Sequence, residues 1–342
     1  STVRPAQRGL LFLGCLLAFV RWEPAPYDLF LIIIFLLYAR GLTWKSYQLV
    51  FVVLLGPLLF THVPALGAAL EVAPERTLYY SLVTLYLALS SVFFMSLPER
   101  SVPLLLLGYE VGALLSGLLG VLAFLRIPGL EDLLWSRAVA FFKDPNVFCA
   151  FLIPALFLAL ARLEQGREFW ILPALILFLG VLVSLSRGAW ANFAVALLAW
   201  WLLRPRKRIW LPLVLLTLAG GVGISVVVMP DNPIVQRLGF MPYDKERFFT
   251  QMEALSLALT QPLGYGPGLS EIHLSYATHN TYVRFLAEVG WLGLFFWLLI
   301  LGTSLIWSLY QGLKQQSFRH EVYFVSLLGI AVESLVIDTL HW

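Results

Sequence analysis

Charged residues are scarce in this chain, and their scarcity excludes most soluble folds. Asp, Glu, Lys and Arg make up 13% of the 342 residues, against roughly 25% in soluble globular domains. Hydrophobic residues make up 60%, and the mean hydropathy is +0.84. The net charge is +3, and in so apolar a chain a basic balance indicates orientation in the membrane rather than a nucleic-acid partner. The composition therefore predicts an integral membrane protein whose surroundings are membrane lipids.

Cysteine is almost absent, and the histidines lack metal-binding spacing. Cys15 and Cys149 both lie in apolar runs without a ligand-spaced neighbour, so we interpret them as packing thiols. The chain contains no HExxH pattern and no DxD pattern among the acids of its predicted outer loops. We therefore predict no metal and no other cofactor, although five histidines are present: His62, His273, His279, His320 and His341.

The apolar runs are long and lack the strict alternation of a lipid-facing barrel strand. A helix of about 20 apolar residues crosses the hydrocarbon core, so the runs predict an all-α polytopic membrane protein, with residues 1–342 forming a single transmembrane helical domain. About eleven crossings are expected: 9–21, 27–40, 45–62, 76–97, 102–126, 144–162, 168–185, 187–203, 209–229, 282–310 and 321–338.

The basic residues fall mainly on one side of these predicted crossings. Cytoplasmic loops carry an excess of Lys and Arg, and "RPRKR" at 204–208 is the densest basic stretch. The N-terminus is therefore predicted to be cytoplasmic. The outer segments would be the loops 61–75, 127–143 and 230–281, together with the tip at 185–187.

Only the outer loop at 230–281 is large. Within it, "YDKERFFTQMEALSLALTQP" predicts an amphipathic helix at the outer membrane interface, because its apolar residues recur at roughly helical spacing and Gln261-Pro262 would end it. "GYGPG" at 264–268 lacks the Lys/Ser ending of a phosphate-binding loop, and we interpret it as a tight turn.

Polar residues gather at the outer ends of the predicted helices, where the chemistry of a site could be assembled. Structural alternatives exist for residues in this region. Asp144 could be an N-cap before Pro145, and Thr278 or Asn280 could cap the helix that follows. Arg284 and Glu288 could form an ion pair, Arg187 could contact lipid headgroups, and His279 could occupy an interfacial position. The polar residues at these outer ends are Lys143, Asp144, Asn146, Arg187, Arg247, His279, Asn280, Asp338 and His341.

Two arginines and one histidine on the same side suit one particular reaction. Guanidinium groups such as Arg187 and Arg247 can bind a diphosphate bidentately and stabilise the charge that grows on it as it departs. An imidazole near such cations and a helix N-terminus is expected to stay neutral. His279 could therefore accept a proton from an acceptor hydroxyl.

The motifs of residues 140–342 resemble the O-antigen ligase and O-antigen polymerase superfamily of bacterial envelope glycan assembly. In order, they are "DPN" opening a helix, "SRGAW" opening a later one, a large loop with an arginine before "FF" and "GYGPG", then "HNTYVRFLAEVGWLG", and finally "IDTLHW". The first 130 residues share only their hydrophobic helices with this family.

The resemblance implies a bundle of about twelve helices, with one more beyond Trp342, and an active site on the periplasmic face. Arg187 and Arg247 correspond to the arginines that hold the diphosphate, and His279 to the essential histidine near the acceptor. Asp338 falls on a late acidic position that members of this family also need. The expected substrate-binding residues are Asn280, Asp338, Lys143 and Tyr282.

The expected function is transfer of a glycan from an undecaprenyl-diphosphate carrier to a glycan or lipid A core acceptor, without a metal, in the bacterial inner membrane. "HNTYVRFLAEVGWLG" and "IDTLHW" favour a ligase of lipopolysaccharide biosynthesis. A polymerase joining carrier-linked repeat units remains the alternative, with a protein-glycosylating relative as a third. A transporter or flippase is disfavoured, because ionisable residues are rare inside the predicted helices.

Overall fold

The structure, a computed structural model, describes residues 5–38, 42, 44, 46–135, 137–204, 241–274 and 276–339. These residues are mostly helical and contain no named strand. The helices described are α1 (Pro5–Leu16), α2 (Pro26–Tyr38), α3 (Ser46–Phe60), α4 (Leu66–Val72), α5 (Pro74–Ser96), α6 (Val102–Phe124), α7 (Pro145–Glu164), α8 (Ile171–Val183), α9 (Arg187–Leu203), α10 (Pro242–Thr260), α11 (Ser270–His273), α12 (Thr281–Gln315) and α13 (Phe318–Glu333).

The predicted all-α membrane class is confirmed, whereas the number of crossings stays a prediction. Among the described residues, α5, α6, α7 and α12 are long and apolar enough to cross a membrane. Shorter apolar helices occupy Pro26–Tyr38, Gln48–Phe60 and Glu168–Val183. The predicted crossing at 209–229 lies outside the described residues. Helix α4 lies in what was expected to be the loop 61–75, and α13 ends five residues before the predicted end at 338.

The chain forms two compact units. The first comprises residues 1–37, 99–240 and 307–333, and its described core lies around α7. Phe148, Leu152 and Phe157 of α7 are fully buried there. Asp144 caps this helix as the sequence predicted, since its carboxylate accepts from the N–H of Asn146 at 2.7 Å and Pro145 follows it.

In the first unit, helix ends contact one another when the sequence had assigned them to the same side of the membrane. At one end, the Ser186 hydroxyl donates to the Asn146 side-chain oxygen at 2.6 Å, which joins the starts of α7 and α9. Where α7 and α9 end, Arg204 pairs with Glu164 at 3.2 Å and with Glu321 near the start of α13. The contacts agree with the predicted grouping of segments; which end faces the cytoplasm stays a prediction.

The second unit comprises residues 38–98, 241–306 and 334–342, and its main feature is a break in α12. The sequence predicted an uninterrupted helix over 282–310, but Gly290 has φ 73° and ψ −170°. At this break the N–H of Trp291 donates to the carbonyl of Pro262 at 3.1 Å, and the carbonyl of Ala287 accepts from Tyr265 at 2.8 Å. The "GYGPG" turn therefore supplies hydrogen bonds to the interrupted backbone.

Substitution of Gly290 by alanine is expected to destabilise the protein. Its left-handed backbone is costly for any L residue, by about 1–3 kcal/mol, and a Cβ would collide with the carbonyl of Pro262. Thermal unfolding in detergent should show a lower melting temperature for Gly290→Ala. Gly302→Ala is the matched control on the same helix, since no atom lies within 4 Å of its Cβ position. Equal melting temperatures for the two variants would contradict the role of the break.

Candidate active site at the start of helix α12

Asn280 caps α12, the helix that follows His279. Its side-chain oxygen accepts from the N–H of Val283 at 3.1 Å, and its amide donates to the carbonyl of Leu335 at 3.0 Å. The side chain is buried. The capping alternative raised by the sequence is therefore observed, and Asn280 also ties α12 to the chain that follows α13.

Residues 334–339 run along the start of α12 through hydrogen bonds to Thr281. The N–H of Thr281 donates to the carbonyl of Ser334 at 2.9 Å, and its hydroxyl contacts the carbonyl of Ile337 at 3.2 Å. The N–H of Thr339 donates to the same hydroxyl at 2.9 Å. This segment was predicted as the end of a helix over 321–338. Its backbone leaves the helix after Glu333 and is satisfied by Thr281 instead.

Arg284 is the centre of a buried ion cluster one turn into α12. Its Nε lies 3.0 Å from Glu288 Oε1, and its Nη1 lies 2.5 Å from Asp338 Oδ2. All three residues are at least 95% buried. The predicted Arg284–Glu288 pair is confirmed. The structure also gives Asp338 a partner within the protein, where the sequence placed it among the substrate-binding residues.

Further residues of the second unit complete this Arg284 cluster. The Ser270 hydroxyl donates to Glu288 at 2.5 Å, and Glu271 lies 3.7 Å from Arg284. Arg76 of α5 pairs with Glu271, and the Arg284 guanidinium lies 4.4 Å from the centre of the Tyr80 ring. These contacts connect α5, α11, α12 and the segment 334–339, so the ion pairs have hydrogen-bonded and aromatic support, which a buried charge requires.

An apolar cavity of about 210 Å³ lies beside the Arg284 cluster. Leu58 and Leu87 belong to its apolar wall, while Arg284, Glu288 and Asp338 reach it from the polar side. Among the described residues, Arg284 Nη2 has no hydrogen-bond partner. The cluster therefore contains one buried donor that is unpaired within the described part of the chain.

His279 directly precedes the Asn280 cap and has a left-handed backbone, with φ 44°. A residue other than glycine in this conformation must be held by its surroundings, and such residues concentrate at functional sites. The neighbouring carbonyl of Thr278 accepts from Gln251 of α10 at 3.2 Å. The His279 ring lies 5.3 Å from the ring of Tyr276, and the side chain is half-buried. His279 is thus fixed in an unusual backbone geometry while its imidazole remains accessible.

Helix α10 occupies the stretch predicted to be an amphipathic helix in the large outer loop. Its small residues Ala254 and Ala258 are buried, while the larger Phe248, Met252 and Leu259 are exposed. Near its start, the Arg247 guanidinium lies 4.8 Å from the centre of the Tyr243 ring. Among the described residues, the buried Nε of Arg247 has no hydrogen-bond partner. The helix is confirmed; its place at a membrane surface stays a prediction.

The remaining predicted site residues divide between the units. Arg187 is the first residue of α9, after the Ser186 cap whose oxygen accepts from Ala189 at 3.2 Å. Lys143 belongs to the same unit and pairs with Glu23, and partial burial lowers the pKa of the Lys143 ammonium. Tyr282 lies in the first turn of α12. The convergence of Arg187 with Arg247 and His279 stays a prediction, because Arg187 belongs to the first unit and the other two to the second.

Several residues around the site were missed from the sequence. Glu271, Arg76 and Tyr80 contribute to the Arg284 cluster, and Tyr276 lies beside His279. Arg76 and Glu271 are 195 positions apart, and no periodicity connects them. The sequence signal that could have revealed the cluster was Arg284 itself. An arginine that is nine-tenths buried in a membrane helix needs more than one partner.

The apolar helices and the polar site at the start of α12 define a multi-pass membrane protein. Residues 172–298 match the family model described as O-antigen ligase. This match supports the membership in the O-antigen ligase superfamily that the sequence motifs predicted. This family indicates a glycosyl-transfer role in O-antigen assembly. No curated protein matches the chain.

The matched region contains most, but not all, of the predicted motifs. "SRGAW", "GYGPG" and "HNTYVRFLAEVGWLG" lie inside 172–298, together with Arg187, Arg247 and His279. "DPN" and "IDTLHW" lie outside it. Asp338 is therefore connected to the matched region by its contact with Arg284, a connection made by the fold.

Proposed function

We propose that this protein is an O-antigen ligase that moves a glycan from an undecaprenyl-diphosphate carrier to an acceptor hydroxyl on lipid A core, at the periplasmic face of the bacterial inner membrane. His279 accepts the hydroxyl proton, and the hydroxyl oxygen attacks the carbon that carries the diphosphate. The carbon–oxygen bond to the diphosphate breaks, and the carrier diphosphate leaves with the bonding electrons. No metal takes part.

The observation that carries this proposal is the geometry at His279. His279 itself has a left-handed backbone and directly precedes the capped start of α12. The Arg284 cluster and Thr281 connect this helix start to residues 334–339. A general base must keep its orientation while a large substrate binds and leaves, since small displacements of a catalytic group cost much of the rate. The surrounding contacts supply that rigidity.

Arg247 and Arg187 are proposed to bind the diphosphate. The Arg247 guanidinium is stacked near Tyr243, and its buried Nε has no partner among the described residues, so it retains hydrogen-bonding capacity for an anion. Arg187 stands at the start of α9, where the helix dipole adds positive potential. Both positions suit a doubly charged leaving group.

Two acidic residues inside helices of the first unit have partners within the protein, and this disfavours the transport alternative. Glu110 of α6 pairs with Arg162 at 2.6 Å, and Glu333 accepts from the Asn192 amide at 2.7 Å. Ionisable residues that line a transport path must exchange with a moving substrate. Because both carboxylates have protein partners, they are explained as links between helices.

A transfer assay with the purified full chain in detergent tests the proposed function and separates ligase from polymerase. Carrier-linked glycan is supplied with and without lipid A core. A ligase gives glycan attached to the core and no product without it, whereas growth of carrier-linked chains without core would identify a polymerase. Absence of either product, with carrier movement in protein-containing vesicles, would favour transport.

The same assay tests the arginines. Arg247→Ala should raise the donor KM about tenfold or more, because a charge-assisted hydrogen-bonded contact with the diphosphate is worth about 1.5–3 kcal/mol. Arg247→Lys should recover only part of the affinity, since an ammonium lacks the planar guanidinium fork. Arg100→Ala, which removes an exposed cation that belongs to neither proposed binding site, is the control. Equal effects of Arg247→Ala and Arg100→Ala on the donor KM would contradict a specific diphosphate contact.

A further inference from the structure

A second cavity of the second unit lies between the start of α10 and the loop that carries His279. It is open to the surroundings and has a volume of about 500 Å³. Of the residues that the structure describes, Lys245, Glu246, Phe249 and Tyr276 line it. None of them belongs to the Arg284 cluster, and none has a role in the proposed proton transfer.

Two of the four lining residues are aromatic and accessible. Phe249 is 67% exposed and Tyr276 is 39% exposed. Sugar rings carry C–H groups on their faces, and these pack against the electron-rich faces of aromatic rings. Two such rings around one cavity therefore provide an apolar surface for a hexose ring.

The other two lining residues supply charged hydrogen-bonding groups. Lys245 and Glu246 are both exposed residues of α10. An ammonium donates to hydroxyl oxygens and a carboxylate accepts from hydroxyl groups. The cavity thus combines apolar faces with polar edges, which is the pattern that sugar rings present.

The cavity is adjacent to the proposed general base. The Tyr276 ring that lines it lies 5.3 Å, centre to centre, from the His279 ring. Gln251, half a turn beyond Phe249 on α10, donates to the carbonyl of Thr278 next to His279. A sugar ring in the cavity would therefore contact the Tyr276 ring that neighbours the imidazole.

We propose that Phe249, Tyr276, Lys245 and Glu246 form a hexose subsite that presents a sugar of the reacting glycans to His279. This inference rests on the proposed function. Donor and acceptor glycans share the same ring chemistry, so the test varies their concentrations separately.

The subsite is tested by steady-state transfer kinetics on the full chain with Tyr276→Ala and Phe249→Ala. Each variant should raise KM for one glycan about tenfold with little change in kcat, as loss of one aromatic contact implies. Tyr276→Phe keeps the ring and should stay close to the unmodified protein. The glycan whose KM rises is the occupant of the subsite.

Phe248→Ala is the matched control for Phe249→Ala. Phe248 precedes Phe249 on the same helix and is 59% exposed, but it does not line the cavity. Equal KM changes in the two variants would show that α10 acts through contact with lipid, and the proposal would be wrong. A fall in kcat at unchanged KM in Tyr276→Ala would overturn it as well, because the ring would then serve only to orient His279.

Binding measurements separate failure of the subsite from failure of the proposed function. If the unmodified protein transfers no glycan, hexose oligosaccharides released by mild acid from the donor and acceptor glycolipids serve as probes. Binding that weakens about tenfold in Tyr276→Ala, and not in Phe248→Ala, supports the subsite without the transfer reaction. No binding to the unmodified protein overturns the subsite.

Discussion

Replacement of His279 by asparagine is expected to reduce turnover by about 10²–10⁴-fold, the usual contribution of a general base. Asparagine is among the residues that best tolerate a left-handed backbone, so His279→Asn removes the imidazole without adding strain at φ 44°. The hydrogen bonds of Asn280 and Thr281 do not involve the His279 side chain. Melting temperature and donor affinity should therefore stay close to those of the unmodified protein.

The measurement is single-turnover transfer with saturating donor, accompanied by thermal unfolding and carrier binding. His273→Ala is the control, because His273 is an exposed histidine of the same unit whose ring lies 4.3 Å from that of Tyr265. His273→Ala should retain turnover. Near-normal turnover of a folded His279→Asn protein would show that His279 is not the base.

Replacement of Arg284 by methionine is expected to cost about 3–5 kcal/mol of stability, the usual effect of removing one partner from a buried ion pair. The variant leaves the carboxylates of Glu288 and Asp338 buried, with their strongest partner gone. It also removes the cation that lies over Tyr80. Thermal or denaturant unfolding in detergent should show the loss, and Arg100→Met, at an exposed arginine, should show little.

A second substitution distinguishes a lost ion pair from a lost side-chain volume. Asp338→Asn keeps the shape of the side chain, and Arg284 keeps Glu288 as a partner, so its cost should be smaller than that of Arg284→Met. In the double variant Arg284→Met/Asp338→Asn, one uncompensated carboxylate is removed, so the cost should be less than the sum of the single effects. Strict additivity would contradict direct coupling between Arg284 and Asp338.

Helix positions were largely accessible from the sequence, because an apolar run has few ways to satisfy its backbone in lipid. The prediction of 187–203 matches α9, and 102–126 and 144–162 agree with α6 and α7 within a few residues. The Asp144 cap and the Arg284–Glu288 pair also followed from the sequence, since both depend on residues within one helical turn.

Contacts between distant segments were not accessible in the same way. Nothing in the run around Gly290 reveals that its helix is interrupted, because the compensating hydrogen bonds come from Pro262 and Tyr265 in the preceding loop. Asp338 was recognised as important without a partner, and its contact with Arg284 spans 54 positions. The roles of both residues depend on chain segments that meet only after folding.

The sequence by itself determined the membrane class and the approximate helices, it indicated the superfamily that the family match supports, and it selected His279, Arg187 and Arg247 as candidates. These conclusions rest on composition, local periodicity and short motifs, which the linear chain carries. Only the tertiary structure decided that His279 has a strained backbone beside a capped helix, that Asp338 is bound to Arg284, and that Tyr276 lines a cavity next to the imidazole. The physical reason is that burial and pairing depend on distances between residues far apart in the chain, which local patterns do not encode.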